Sequence, residues 1–198
     1  MIDLPVNLPA ELVPLSWLIG VWEGSGVVNY TVGEETRNYE FGHRMSFTHD
    51  ALPYLNYTSY TWLLDTNLTP LATETGYWRL SRPATEGDPG PGLLQGVGIQ
   101  PFTTASAVET LRNASDGFDI EVSILHPGGV SELYVGQVKG PRIDLATDAV
   151  MRSVTSKEHT ASTRLYGLVD NHMLWAWDLA ALGQELATHA SGRLARLE

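Results

Sequence analysis

The stretch Leu186-Ala187-Thr188-His189-Ala190-Ser191-Gly192-Arg193-Leu194 places one histidine just before the last alternating segment of the chain. It follows residues 173–179, whose Met and Trp content is typical of a β-strand. Near the other end of the chain, Gly20-Val21-Trp22-Glu23-Gly24-Ser25-Gly26 forms a second short block. We expect both blocks to belong to one closed β-barrel, with the His189 side chain pointing into it.

The composition limits the classes of protein to which the chain can belong. Its 198 residues are enough for one domain with its own core. There is no cysteine, which excludes disulfides, thiolate metal sites and cysteine nucleophiles. The net charge of −11, from 23 acidic and 12 basic residues, disfavours nucleic-acid and membrane-surface partners, because a negative surface repels phosphate groups.

The N-terminal residues and the hydropathy indicate where the protein works. No apolar run approaches the roughly 20 residues that a membrane-spanning helix needs. Met1-Ile2-Asp3-Leu4-Pro5 lacks the basic and then apolar segments of a signal peptide. We therefore expect a cytoplasmic protein without a membrane segment. Residues 1–11 are expected to form an N-terminal extension and residues 12–198 the barrel domain, with a short helix or turn starting at Pro9.

Most of the chain has the pattern of short strands separated by turns. Alternation is clearest over residues 54–64 and 117–125. Strands are also predicted at residues 93–98 and 150–155, and a helical turn or loop at 180–188. These patterns predict an all-β fold, a single closed antiparallel barrel of about ten strands of the lipocalin or fatty-acid-binding type, because closure removes exposed sheet edges. Such a barrel has room for one small ligand.

An ordered set of blocks carries a family resemblance. Gly20, Trp22, Gly24 and Gly26 fit the pattern G-x-W-x-G-x-G. The other blocks follow in order: Phe47-Thr48-His49-Asp50-Ala51-Leu52-Pro53-Tyr54-Leu55-Asn56-Tyr57, Glu74-Thr75-Gly76-Tyr77-Trp78-Arg79, Val130-Ser131-Glu132-Leu133-Tyr134-Val135-Gly136 and Thr188-His189-Ala190-Ser191-Gly192-Arg193-Leu194. From about residue 12 onward, the chain resembles the nitrobindins, which are ferric-haem β-barrels.

The resemblance implies one haem b per chain, with His189 as the axial iron ligand near the barrel mouth. It also implies a mostly apolar distal side, ferric iron that binds nitric oxide, and isomerisation of peroxynitrite to nitrate. The family threonine that lies near the haem corresponds to Thr31, although the Tyr-Pro-Thr of the family is replaced here by Tyr30-Thr31-Val32. A homodimer is a further possibility that the resemblance suggests.

Two other classes of function remain open for a barrel of this kind. One is a non-catalytic carrier of a fatty acid or another apolar molecule, and the other is an interaction scaffold without a cavity. The remaining histidines are interpreted as structural or exposed: His49 as stabilising a turn, His126 as a solvated loop residue, and His43, His159 and His172 as having no metal-binding partner. We find no Ser-His-Asp set, no paired catalytic carboxylates and no phosphate-binding loop in the sequence.

Overall fold

Ten antiparallel strands close into one barrel in the computed structural model, which describes residues 7–32, 35–181, 183 and 185–197. Each strand pairs with its neighbours in the sequence, and the first pairs with the last. The strands are β1 (Gly20–Val32), β2 (Glu35–Thr48), β3 (Leu55–Leu63), β4 (Pro70–Leu80), β5 (Phe118–His126), β6 (Val130–Lys139), β7 (Arg142–Arg152), β8 (His159–Val169), β9 (His172–Ala181) and β10 (Ala187–Arg196). The predicted fold class is confirmed.

Among the described residues, helical structure is confined to two short segments. A 3-10 helix covers Ala10–Leu18, and helix α1 covers Ala105–Glu109 in the connection between β4 and β5. None of the described helical segments has the length and hydropathy that a bilayer-crossing helix needs. The short helix expected after Pro9 is present, whereas the sequence patterns did not predict α1.

Three local predictions were wrong. Residues 93–98 form no strand but part of the long connection after β4, where Leu93 is fully exposed. Residues 150–155 are not a separate strand, because β7 continues to Arg152. The register of β6 and β7 shifts so that Asp148 is an extra residue, and this bulge interrupts the alternation that marks a continuous strand. Residues 187 and 188 belong to β10 and not to the loop expected at 180–188.

The 3-10 helix closes one end of the barrel. Its Leu12, Leu15 and Leu18 side chains are fully buried in the core. Trp22 of β1 is buried beside them, and its Nε1 donates a hydrogen bond of 2.7 Å to the backbone oxygen of Leu18. Residues 1–6 of the expected N-terminal extension lie outside the described residues, and Glu11 is already part of this helix. The opposite end of the barrel is therefore the end at which a ligand can enter.

Glycines line the seam where β1 and β10 close the barrel. Gly26 pairs directly with Gly192, and both face inward. A Cβ atom on Gly26 would lie 2.6 Å from Cζ of Phe41, and one on Gly192 would lie 2.7 Å from Nε1 of Trp175. The two glycines therefore make room for aromatic rings inside the barrel wall. Gly24 has a different role: its Cβ would clash with the backbone of β10, so glycine lets the two strands approach closely at this point.

A buried ion cluster fastens the helix to the long connection that follows β4. The Arg82 guanidinium donates hydrogen bonds to both carboxylate oxygens of Glu11, at 2.7 and 2.9 Å. It also donates to both oxygens of Asp88, each at 2.7 Å. The Arg82 side chain is only 6% exposed, so the two carboxylates depend on it for their charge compensation.

We expect the substitution Arg82→Met to destabilise the fold by about 3–5 kcal/mol, because it leaves two largely buried carboxylates without their cation. Urea unfolding followed by tryptophan fluorescence measures the free energy of unfolding. The matched control is Arg37→Met, which removes an exposed pair with Glu35 and should leave the unfolding midpoint nearly unchanged. Equal effects of the two substitutions would contradict a structural role for the Arg82 cluster.

Candidate functional site

A β-bulge aims His189 into the barrel. In the pairing of β10 with β9, Thr188 lies opposite Asp178 and Ala190 opposite Trp177, so that His189 is an extra residue on β10. Successive side chains of a regular strand point to opposite faces. Because of the bulge, His189 and Ala190 both line the interior cavity. The structure thus places His189 near the beginning of β10, at the open end of the barrel.

Two aromatic rings hold the His189 imidazole. The Tyr30 ring lies 5.1 Å from it, measured between centroids, and the Trp177 ring lies 5.6 Å away with its edge toward the imidazole. Within the described residues, neither ring nitrogen of His189 has a hydrogen-bond partner. Burial lowers the pKa of His189, which favours the neutral imidazole with a free nitrogen lone pair. A neutral imidazole is the form that binds metal ions.

The cavity in front of His189 has a volume of about 230 Å³. Leu71, which is 40% exposed, lies on its rim, and therefore the cavity communicates with solvent. Apolar and aromatic side chains form much of its wall: Val28, Tyr39, Phe41, Met45, Leu71, Trp175 and Trp177. The polar residues that line it come mainly from β2, β3, β4, β5 and β8: His43, Ser59, Thr61, Thr73, Glu74, His126 and Arg164.

A bidentate ion pair forms one part of the polar wall. The Arg164 guanidinium donates to the two oxygens of Glu74 at 2.7 and 2.9 Å, and the Tyr57 hydroxyl donates to the same carboxylate at 2.5 Å. Burial acts to raise the pKa of Glu74, but the attraction of Arg164 outweighs burial and lowers the pKa to about 2. The Arg164 guanidinium also lies 4.6 Å from the centre of the Trp177 ring. Both charges are therefore fixed in place at the cavity wall.

Glu132 is the centre of a second polar cluster, behind this pair. His126 Nε2 lies 2.8 Å from one of its oxygens, and His159 Nε2 lies 2.7 Å from the other. The hydroxyl groups of Tyr134 and Ser162 also donate hydrogen bonds to this carboxylate. Burial acts to raise the pKa of Glu132, but the hydrogen bonds from the two histidines outweigh it and hold the pKa well below the usual range. Glu132 is thus a buried, ionised carboxylate.

The polar wall overturns one interpretation of the sequence. His126 is not a solvated loop residue, since its side chain is 19% exposed and contacts both Glu74 and Glu132. These two carboxylates are brought together by shared partners, because His126 and Arg164 each lie within 4 Å of both. The cavity is consequently more polar than the mostly apolar distal side that the family resemblance implies.

His43 is a buried residue of the cavity wall, as a structural role requires. Its Nε2 pairs with the Ser59 hydroxyl at 2.8 Å, and its side chain is nearly inaccessible to solvent. Burial lowers the pKa of His43 to about 4, so the ring is neutral at pH 7. Its Nδ1 and the Nε1 of Trp177 are buried without a hydrogen-bond partner in the described part of the chain. Both atoms can serve a bound ligand.

Thr31 and the glycine motif lie away from this cavity. The Thr31 side chain is exposed on the outer face of β1 and pairs with the Thr36 hydroxyl at 2.9 Å. Its neighbour Tyr30 faces inward and contacts His189 instead. Gly20, Trp22, Gly24 and Gly26 lie along β1 at the closed end and at the seam, where they serve closure. The structure therefore brings His189, and not Thr31, to the cavity.

The residues present fit a haem, for which an axial nitrogen, flat apolar walls and an open mouth are required. Within the described residues, no three His, Asp or Glu side chains are arranged to hold a metal ion. His189 can therefore act as a metal ligand where a porphyrin supplies the other donors. The cavity is open to solvent, so its volume of about 230 Å³ does not limit the size of a group that could reach His189.

Fold and site together define a ligand-binding β-barrel with an inward histidine at its mouth. The family described as "THAP4-like, heme-binding beta-barrel domain" matches residues 11–196. The chain belongs to this family. The predicted membership of a family of haem-binding barrels is thereby confirmed, and haem is the cofactor of that family.

Individual relatives extend over the whole chain. A protein of Leifsonia xyli subsp. xyli named peroxynitrite isomerase is 66% identical over 198 residues, which cover 100% of both chains. One of the same name from Clavibacter michiganensis subsp. michiganensis is 64% identical over 199 residues, again with 100% coverage of both. The crystal structure of Rv2717c from M. tuberculosis is 27% identical, with a TM-score of 0.68 and coverage of 99% of this chain and 100% of that one.

We expect the ion pair of Glu74 and Arg164 to make stability depend on pH. Because the folded-state pKa of about 2 lies below the ordinary value of 4.5, the stabilisation is complete above pH 4.5 and is lost as the pH falls toward 2. Glu74→Gln should cost about 3–5 kcal/mol at pH 7, since it leaves the buried Arg164 without its partner. The difference from the unsubstituted protein should shrink at pH 3.

Urea unfolding at both pH values measures this difference. Glu35→Gln, at an exposed position, is the matched control and should show little change at either pH. A penalty for Glu74→Gln that is the same at pH 7 and pH 3 would show that the ionised carboxylate does not stabilise the fold.

Proposed function

We propose that the chain binds one haem b through His189, holds the iron in the ferric state, binds nitric oxide and isomerises peroxynitrite to nitrate. The observation that carries the proposal is the bulge that turns His189, with both ring nitrogens free of partners in the described residues, into an accessible cavity. The relatives that match over their full length and are named peroxynitrite isomerase support the same activity.

The protein residues have separable roles in this proposal. His189 binds the iron, while Tyr30 and Trp177 fix the orientation of the imidazole by packing against its faces and edge. Phe41 and Met45 keep water out of the deeper part of the cavity. A haem held by His189 would supply a Lewis-acidic ferric iron to act on the substrate.

An alternative role as a fatty-acid carrier has less support. A carboxylate headgroup inside a barrel needs a cation to neutralise it. Arg164 is the arginine that lines the cavity in the described part of the chain, and both terminal nitrogens of its guanidinium are bound to Glu74. A fatty acid would have to compete with this ion pair.

Two further statements stay predictions. A cytoplasmic location agrees with the absence of cysteine from the sequence, because disulfides do not persist in a reducing compartment and proteins there do not depend on them. A homodimer is suggested by the family resemblance alone.

We expect His189→Ala to weaken haem binding by about 100-fold or more, because it removes the axial nitrogen. Titration of the apoprotein with hemin, followed by absorbance in the Soret region, measures the affinity. His172→Ala is the matched control, because His172 lies at the start of β9 near the closed end and pairs with the backbone oxygen of Asp170. A Soret band of unchanged position and affinity in His189→Ala would exclude this ligand assignment.

The haem-loaded protein should accelerate peroxynitrite decay and raise the fraction that becomes nitrate. Stopped-flow absorbance gives the decay rate, and ion chromatography gives the ratio of nitrate to nitrite. The apoprotein and His189→Ala incubated with hemin serve as controls. In the presence of either, peroxynitrite should decay at the rate that is measured in buffer alone. If the protein binds haem through His189 but does not accelerate peroxynitrite decay, it is a haem-binding protein and not an isomerase.

A further inference from the structure

The cluster around Glu132 has a charge imbalance that the proposed function does not use. Glu74 and Glu132 contribute two negative charges, whereas Arg164 contributes one positive charge. Arg164 binds Glu74 closely and lies 3.8 Å from Glu132. One buried negative charge is therefore uncompensated unless His126 or His159 carries a proton. Uncompensated buried charge is costly.

Both histidines contact Glu132, so a single proton on either ring would lie next to this carboxylate. Each presents Nε2 to a different oxygen of the same carboxylate, at 2.8 Å for His126 and 2.7 Å for His159. The Nδ1 of His126 also faces Glu74, at 3.6 Å. Because both nitrogens of His126 face carboxylate oxygens, a doubly protonated His126 ring would satisfy both contacts.

His126 connects the cluster to the cavity. It lines the cavity that His189 also lines, and its ring is parallel to the Trp177 ring at a centroid distance of 6.4 Å. The Trp177 ring in turn contacts His189. A change of charge on His126 therefore acts on the cavity into which His189 points.

His159 connects the same cluster to the outside. Pairing of β7 with β8 ends at Ala146 and Thr163, although β7 continues to Arg152 and β8 begins at His159. Beyond that point, the backbone nitrogen of Ser162 donates to the Thr147 hydroxyl at 3.1 Å instead of to the backbone of β7. The backbone pairing of the barrel wall is thus interrupted beside His159, whose side chain is 10% exposed to solvent.

We propose that His126, Glu132 and His159 form a proton-holding cluster that lets the cavity admit anionic ligands when it is protonated and makes the cavity repel them when it is not. The inference rests on the proposed function in that the anion binds at the haem iron. The groups that face His126 are Glu74 on β4, Glu132 on β6, Arg164 and His159 on β8, and Trp177 on β9. With one proton on the histidines, their summed charge is zero; without it, the sum is −1.

The cluster thereby determines which substrates reach the iron. Peroxynitrite is an anion, and a neutral cavity wall admits it, whereas a wall with one net negative charge repels it. No proton is transferred to the substrate, since isomerisation to nitrate leaves the proton count unchanged. Nitric oxide is uncharged, and its binding should not depend on the cluster.

Azide binding to the ferric haem-loaded protein tests the proposal. We expect azide affinity to fall by on the order of tenfold when the cluster loses its proton with rising pH, because one unit charge at the cavity wall changes the binding free energy of an anion by that order. The double variant H126Q/H159Q keeps a side-chain amide beside Glu132 but cannot be protonated. At low pH it should bind azide about tenfold more weakly than the unsubstituted protein does.

Two comparisons separate this effect from others. His172→Gln, remote from the cluster, should keep the pH dependence of the unsubstituted protein, and nitric oxide affinity should be the same in all variants. Deprotonation of iron-bound water also weakens azide binding at high pH, but it affects every variant alike. Identical pH profiles for azide in the unsubstituted protein and H126Q/H159Q would overturn the proposal.

A readout on the apoprotein distinguishes failure of this inference from failure of haem binding. Histidine side-chain nitrogen resonances, followed by NMR across pH, report the protonation of His126 and His159 directly. We expect the titration of His126 to change when His159 is replaced by Gln, because the two rings share one proton. Independent titration of the two rings would overturn the shared proton even if haem binds, and coupled titration without a Soret band would refute only the haem site.

Discussion

The pairing of β1 with β10 is the constraint on which the rest of the structure depends. It turns a sheet with two free edges into a closed wall, and it fixes the position of every inward side chain. Glycines at the seam allow the strands to approach while the Phe41 and Trp175 rings fill the interior next to them. The histidine at the mouth lies on one of these two strands. The site is therefore built on the element that closes the barrel.

One end of the barrel mainly stabilises the fold, and the other end carries the candidate site. At the closed end, a 3-10 helix with three fully buried leucines and the ion cluster around Arg82 covers an apolar core. At the open end, the buried side chains include carboxylates, histidines, tyrosines and an arginine joined by hydrogen bonds, beside an apolar part of the wall. Buried polar networks stabilise a fold less reliably than apolar packing, so a polar mouth requires the apolar core below it.

The sequence predicted the closed barrel and the inward histidine, but not the polar wall. Regular alternation and recognisable blocks were sufficient for the architecture. The inward positions of Glu132 and Arg164 could have been read from the phase of their strands, because each lies two residues before an inward tyrosine, Tyr134 or Tyr166. That these charges meet across the lumen follows from the closure of the barrel, and therefore no local pattern contains it.

The bulge at His189 has a consequence for how the family can diverge. One extra residue on β10 decides whether the imidazole faces the lumen or the solvent, while the pairing on either side stays regular. Loss of a single codon at this point would shorten the strand by one residue and restore strict alternation. A gene could in this way lose the inward orientation of this histidine in one event and still encode a closed barrel with a cavity, which selection could adapt to a different ligand.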